Sequence, residues 1–278
     1  MGAWEAEIAS RERFSFGRNW QKFLENLDDL RIAASEEALR EMLGVRNLEG
    51  MTFVDAGSGS GLSSLAAMRL GASRVCSFDF DPQSVECTRL LRQRYFPNAT
   101  NWTVEEGSVL DTTFLTKVGT FDIVYSWGVL HHTGQMWLAL ENVSALTKNE
   151  GKLFIALYND EGKISGMWKW IKKSYNRGTI RRWIICSIYF SWLVSRNFAI
   201  DIFVKRRNPR GRYTTDRKTR GMSFTRDVLD WLGGYPYEVA APAEVFDFFK
   251  KKGFNLTKMK LVSRGHGNNE FVFSKCAE

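Results

Sequence analysis

Residues 51–61, Met-Thr-Phe-Val-Asp-Ala-Gly-Ser-Gly-Ser-Gly, decide how this chain is read. Met51 to Ala56 has the β-branched and aromatic texture of a short strand, and LSSLAAMRLG (62–71) has that of the helix behind it. A strand that ends in glycines and opens a helix gives a ligand close access to the backbone and a supply of free N–H groups. The loop lacks the Lys-Ser/Thr pair of a phosphate-binding P-loop, which argues against nucleoside triphosphate hydrolysis. A second strand, RVCSFDFD (74–81), places Asp79 22 positions after Gly57, where a carboxylate can accept hydrogen bonds from both hydroxyls of a ribose. Asp55, before the first glycine, would repel a pyrophosphate and suits a cation such as the ammonium of a methionine moiety. A nucleoside ligand is expected.

Outward from this loop, short apolar runs alternate with helical stretches, as in the strand and crossover-helix units of a parallel sheet. Strands are expected at 51–56, 74–81, 101–109, 121–130 and 151–159, and helices at 62–71, 82–96 and 135–147. After Asn159 the alternation stops for about 75 residues. It resumes with Pro242 and the helix AEVFDFFKKKG, then two strands at 255–263 and 269–275, close enough for an antiparallel hairpin. Ahead of the sheet, Trp20, Phe23, Leu24, Leu27 and Leu30 share the spacing of one buried helix face, and Ser35 is read as the N-cap of a second helix. The expected organisation is an N-terminal helical cap (1–48), a core (49–159), a basic, aromatic-rich helical insertion (160–240) and a C-terminal helix and hairpin completing the core (241–278).

VDAGSGSG (54–61), SFDFDP (77–82), EGSVLD (106–111) and FDIVYSWGVLHHT (121–133) resemble the first four motifs of the class I S-adenosylmethionine-dependent methyltransferases. The likeness to this superfamily covers roughly Met51 to Asn159 and again the C-terminal helix and hairpin, and the texture near LHHT (130–133) resembles its quinone-biosynthesis and natural-product branches. It implies an α/β, Rossmann-like, seven-stranded mostly parallel sheet with an antiparallel last strand. It also implies S-adenosylmethionine as cofactor, with S-adenosylhomocysteine as product. Carried over by position, Asp55, Gly57, Ser58, Gly59, Gly61 and Leu62 would hold the methionine part. Asp79 would bind the ribose and Phe80 would lie against the adenine, with Ser108 and Val109 beside it. Ser126 and Trp127 would lie near the sulfonium. Many relatives carry an acid or amide where this chain has Ser108, and Asp111 is the alternative contact. No metal ligand set is expected.

Methyl transfer is an in-line displacement, and a base helps most when the acceptor is a hydroxyl. The three histidines all fall beyond C-terminal strand ends, where open α/β sheets place their ligands: His131 and His132 after the fourth strand, His266 after the sixth. His132 is favoured as base, with His131 and His266 as further candidates; the bland alternative is a packed pair at a helix start and a turn residue. Asn159, Arg220, Tyr235 and Asn268 are candidate acceptor contacts. The reading taken forward is transfer to a small molecule, at oxygen, bearing a sugar, phosphate or lipid group. The alternatives are an RNA methyltransferase using the basic insertion, and a non-catalytic cofactor-binding or membrane-associated adaptor.

The 278 residues are 44% apolar and 25% charged, which excludes disordered, collagenous and disulfide-stapled chains. The net charge of +8 is unevenly spread: residues 163–226 hold 17 Lys/Arg against Asp201 and Asp216, a net of 17 − 2 = +15, so the remainder carries 8 − 15 = −7. That excess points to an anionic surface or substrate, with nucleic acid the less favoured partner. Cys76, Cys87, Cys186 and Cys276 form no Cys-x-x-Cys pair and read as reduced fillers. MGAWEAEIASRERF has acids where a signal peptide needs an apolar run, so secretion is unsupported and a cytoplasmic location is expected, with a peripheral place at a membrane as the alternative. The segment 183–204 is apolar nearly all round but interrupted by Ser187, Ser191, Arg196, Asn197 and Asp201, which argues against a membrane span. It must be buried, paired in a homodimer, or pressed to a membrane surface.

Overall fold

The computed structural model describes Ile8, Ser10, Phe14 and residues 16–204, 224–262 and 267–277. Seven strands, β1 (Thr52–Ala56), β2 (Arg74–Asp79), β3 (Trp102–Glu106), β4 (Phe121–Trp127), β5 (Thr147–Tyr158), β6 (Phe254–Lys260) and β7 (Asn268–Lys275), form one sheet in the order β3-β2-β1-β4-β5-β7-β6. The first five pair in parallel, and β7 runs antiparallel to both β5 and β6. This is the expected Rossmann-like sheet with an antiparallel last strand. All five parallel strands therefore deliver their C-terminal ends to one edge, where the loop after β1 lies.

Among the described residues the α-helices are α1 (Gly17–Leu24), α2 (Asp29–Leu43), α3 (Leu62–Arg69), α4 (Pro82–Tyr95), α5 (Thr112–Val118), α6 (Met136–Ala145), α7 (Lys163–Asn176), α8 (Thr179–Ala199), α9 (Phe224–Gly233) and α10 (Pro242–Lys250). Two expectations at the N-terminus are corrected. The helix read through Leu30 stops at Leu24, and Ser35 lies inside α2, because the Asp28 carboxylate accepts from the Arg31 N–H and starts that helix seven residues earlier. Helix α5 was not expected; Asp111 caps it by accepting from the N–H groups of Thr113 and Phe114. The fourth strand ends at Trp127, and Leu130–His132 form a single 3₁₀ turn in place of its expected last residues.

The chain divides into two compact units that differ from the four segments read in the sequence. The larger comprises 15–165 and 237–278, so α1 and α2 belong with the sheet. Its core is the sheet against its helices, with Val54, Phe78, Val124, Leu140, Ile155 and Phe271 buried. The smaller comprises 1–14 and 166–236, and its described core gathers Tyr175, Leu193, Val228 and Leu232 from α7, α8 and α9. There Lys172 is fully buried, its ammonium donating to the Trp231 carbonyl and lying 4.0 Å from the centre of the Trp231 ring. Both contacts offset part of the cost of burying the cation.

Candidate cofactor and acceptor site

The loop after β1 is a left-handed run at alternate positions: φ is +85° at Gly57, +54° at Gly59 and +80° at Gly61. Close approach adds a second reason for glycine. A Cβ on Gly57 would stand 2.4 Å from Val129 Cγ1, and one on Gly59 3.0 Å from Trp20 Nε1. The loop is therefore flanked by Val129, from the turn after β4, and by the indole of α1.

Asp79 ends β2 beside this loop: its Oδ2 accepts from the Gly59 N–H at 2.9 Å and its Oδ1 from the Asp81 N–H at 2.9 Å. Asp81 in turn caps α4 through the Gln83 N–H and accepts from the Gly17 N–H at 2.9 Å, which ties the start of α1 to the end of β2. Asp81, Val129 and Thr88, whose hydroxyl meets that of Ser58 at 3.0 Å, escaped the sequence reading as parts of this site. Asp81-Pro82 was the available signal, since an acid before proline marks a helix start.

Asp55 is buried under the loop. Its carboxylate accepts from Ser64 Oγ at 2.6 Å; Ser77 Oγ donates to Ser64 Oγ at 2.7 Å, and Trp102 Nε1 to Ser77 Oγ at 2.8 Å. This chain of hydrogen bonds joins β1, α3, β2 and β3. Burial pushes the Asp55 carboxyl up to about 7, the Ser64 hydroxyl opposes the shift, and the nearby Asp79 charge adds to it.

The other candidates divide by environment. Ser126 is fully buried and donates to the Ala56 carbonyl at 2.7 Å, and the Ser108 hydroxyl accepts from the Leu110 N–H, so both support backbone. Asp111 Oδ1 is engaged in capping α5, as described above. Val109 is buried with its carbonyl held by Asn142, while Leu62 and Phe80 are half-buried. Trp127 is exposed, with Nε1 3.3 Å from Glu270 Oε1.

His131 is completely buried, whereas His132 retains 7% exposure. Their rings lie 4.4 Å apart in an aromatic cluster: His131 is 3.9 Å from Tyr158, His132 is 5.1 Å from Phe16, and Tyr158 is 5.3 Å from Tyr237. Glu238 braces this turn, its N–H donating to the His131 carbonyl and its carboxylate accepting from the Met136 N–H. Burial pushes the Tyr237 phenol up to about 12, against a hydrogen bond with Ser165. Asn159 accepts from Asn269 at 2.8 Å, and Asn268 Oδ1 is buried without a hydrogen-bond partner. Tyr235 belongs to the smaller unit, and Arg220 and His266 lie outside the described residues.

A carboxylate at the end of β2, a neighbouring loop stripped of Cβ atoms and a helix behind it form a cradle for a nucleoside with a charged tail, and S-adenosylmethionine fits that donor set. Residues 54–153 match the family described as "Methyltransferase domain". Among curated proteins, the ribosomal protein L11 methyltransferase of Tolumonas auensis is 50% identical over 48 residues, which is 17% of this chain and 16% of that protein. The match thus spans about one sixth of that relative's length. Among solved structures, the magnesium protoporphyrin IX methyltransferase of Synechocystis with bound S-adenosylhomocysteine superimposes with a TM-score of 0.53 at 12% identity, covering 88% of this chain and 83% of that one. An O-methyltransferase family protein from Burkholderia thailandensis gives 0.53 at 12% identity, covering 90% and 58%. The fold and the matched segment define the class at the level of a domain: residues 54–153 are similar to a methyltransferase domain, and the sheet that carries them has the Rossmann-like fold of the solved methyltransferases.

Proposed function

We propose that the protein transfers a methyl group from S-adenosylmethionine to a small-molecule acceptor, at oxygen. The observation that carries this reading is the Asp79 carboxylate hydrogen-bonded to Gly59 of the left-handed glycine loop, at the edge where the parallel strands end. S-adenosylmethionine, when bound, supplies a methyl group on a sulfonium, an electrophile open to in-line attack.

The chain's residues do the rest. Asp79 takes the ribose hydroxyls and Phe80 flanks the adenine. The Gly57–Gly61 backbone with Leu62 receives the methionine tail, and the buried Asp55 charge favours its ammonium. His132, the more exposed of the adjacent histidines, accepts the acceptor's proton on an imidazole nitrogen, and Tyr158 and His131 fix its ring by packing. Asn159 and Asn268 offer amides to the acceptor. The likeness to an O-methyltransferase family protein supports oxygen as the attacking atom.

Calorimetry tests the cofactor assignment. Wild type is expected to bind S-adenosylmethionine, and Asp79→Ala to bind it about tenfold to a hundredfold more weakly, the worth of one or two hydrogen bonds to a charged group. Unchanged affinity in the variant would overturn the ribose role, and absence of binding by wild type would overturn the reaction.

A further inference from the structure

The smaller unit leaves one helical face uncovered. Along α8 and the π-helical turn that continues it (Ile200–Val204), Tyr189, Leu193, Asn197 and Asp201 recur at spacings of four; Tyr189 and Leu193 join the unit's core, and Leu193, Asn197 and Asp201 are buried. The outward face carries Ile180, Trp183, Ile184, Ile188 and Trp192, with Ile180 77% and Trp183 70% exposed. Helix α7 adds exposed Met167 and Trp170. By length and composition, Thr179–Phe203 could cross a membrane, at a mean hydropathy of 1.2, yet only 11% of its apolar window is buried.

The polar residues are sorted by face. Asn197 and Asp201, which interrupt the apolar segment in sequence, sit on the covered side, and small hydroxyls at Ser187, Ser191 and Ser195 are the polar groups on the open side apart from the cations. Those cations stand near the helix ends, Arg181 and Arg182 at the start and Arg196 near the finish, and the sequence continues with Lys205-Arg206-Arg207. An apolar face with tryptophans, cations at its flanks and no exposed acid matches a bilayer's acyl boundary and anionic headgroups.

We propose that this face docks flat on an anionic phospholipid surface. Charge selects this occupant over a second copy of the chain: a two-fold interface would set a segment of net +15 against itself, whereas each cation near an anionic surface strengthens binding by roughly fivefold. Covered Asn197 and Asp201 select surface docking over a span, because crossing would carry both into hydrocarbon.

The experiment is co-sedimentation of the full chain at low salt with vesicles of phosphatidylcholine alone or mixed with phosphatidylglycerol. Binding to the mixed vesicles is expected to exceed that to pure phosphatidylcholine by at least about tenfold, and the double substitution Ile184→Asn/Ile188→Asn to reduce it by a similar factor. Both side chains are more than half exposed, so the variant's thermal melt and its affinity for S-adenosylmethionine should match wild type, which separates this inference from the proposed reaction. No pelleting of wild type with anionic vesicles, or pelleting that the double variant leaves intact, would overturn it. So would a dimer in sedimentation equilibrium that the double variant dissociates, since a second copy would then cover the face.

Discussion

The two compact units solve the same problem, burying apolar side chains, to different extents. In the larger unit, strands covered on both faces place Phe53, Val54, Val124 and Ile155 wholly out of water. In the smaller unit three helices share a modest core, and α8 buries one stripe while its other face stays in solvent. The charge follows the same division: the 163–226 stretch is strongly basic and the rest of the chain is on balance acidic. Apolar content alone therefore does not mark a core. Only a second layer within reach turns an apolar face into an interior, and the smaller unit has no such layer over the open face of α8 among its described residues.

The sharpest way to break this contrast is a matched pair of truncations. Phe271→Ala in β7 is expected to cost about 3–5 kcal/mol in denaturant unfolding, through lost transfer energy and the cavity left behind. Ile188→Ala, at an exposed position, should stay within about 0.5 kcal/mol. Equal costs would mean that the open face of α8 is covered in solution.

A second test concerns polar burial in the larger unit. Because the folded Asp55 carboxyl is raised from 3.8 to about 7, its contribution to stability is fully present below about pH 4 and is lost as pH rises through about 7. Three units correspond to at most about 4 kcal/mol. Asp55→Asn, which keeps an acceptor for Ser64, should melt higher than wild type near pH 8 and lose that advantage near pH 4, without cofactor in either case. A pH-independent gap between the two melting curves would rule out the buried carboxyl as its source.

The smallest effects come from glycines in the two units, and they have opposite signs. Gly57→Ala meets Val129 and a positive φ, so a loss of about 1–3 kcal/mol is expected. Gly166, inside α7, has open space where its Cβ would be, and Gly166→Ala should gain about 0.5–1 kcal/mol from helix propensity. Thermal melts of the two variants check both signs.

The site was legible to different depths. Asp79 and the glycine loop were visible because strand, turn and helix signals are local and their spacing is rigid. The partnership of Trp20 with Gly59, of Gly17 with Asp81 and of Phe16 with His132 was not, since each joins residues distant in sequence. Ser126 illustrates the reverse: its place at the end of β4 was readable, but only the paired strand shows that its hydroxyl is held by Ala56.

By itself, the sequence determined the order of the strands, the α/β class of fold, the place of the glycine loop and the segregation of charge, because periodicity, glycine and proline act within a few residues. Tertiary structure decided where α2 begins, that α1 and α2 join the sheet, how Asp55 is linked through Ser64 and Ser77 to Trp102, and which face of α8 is left open. Those outcomes depend on contacts between distant residues, and hydrogen bonds and apolar burial are settled only when the partners meet.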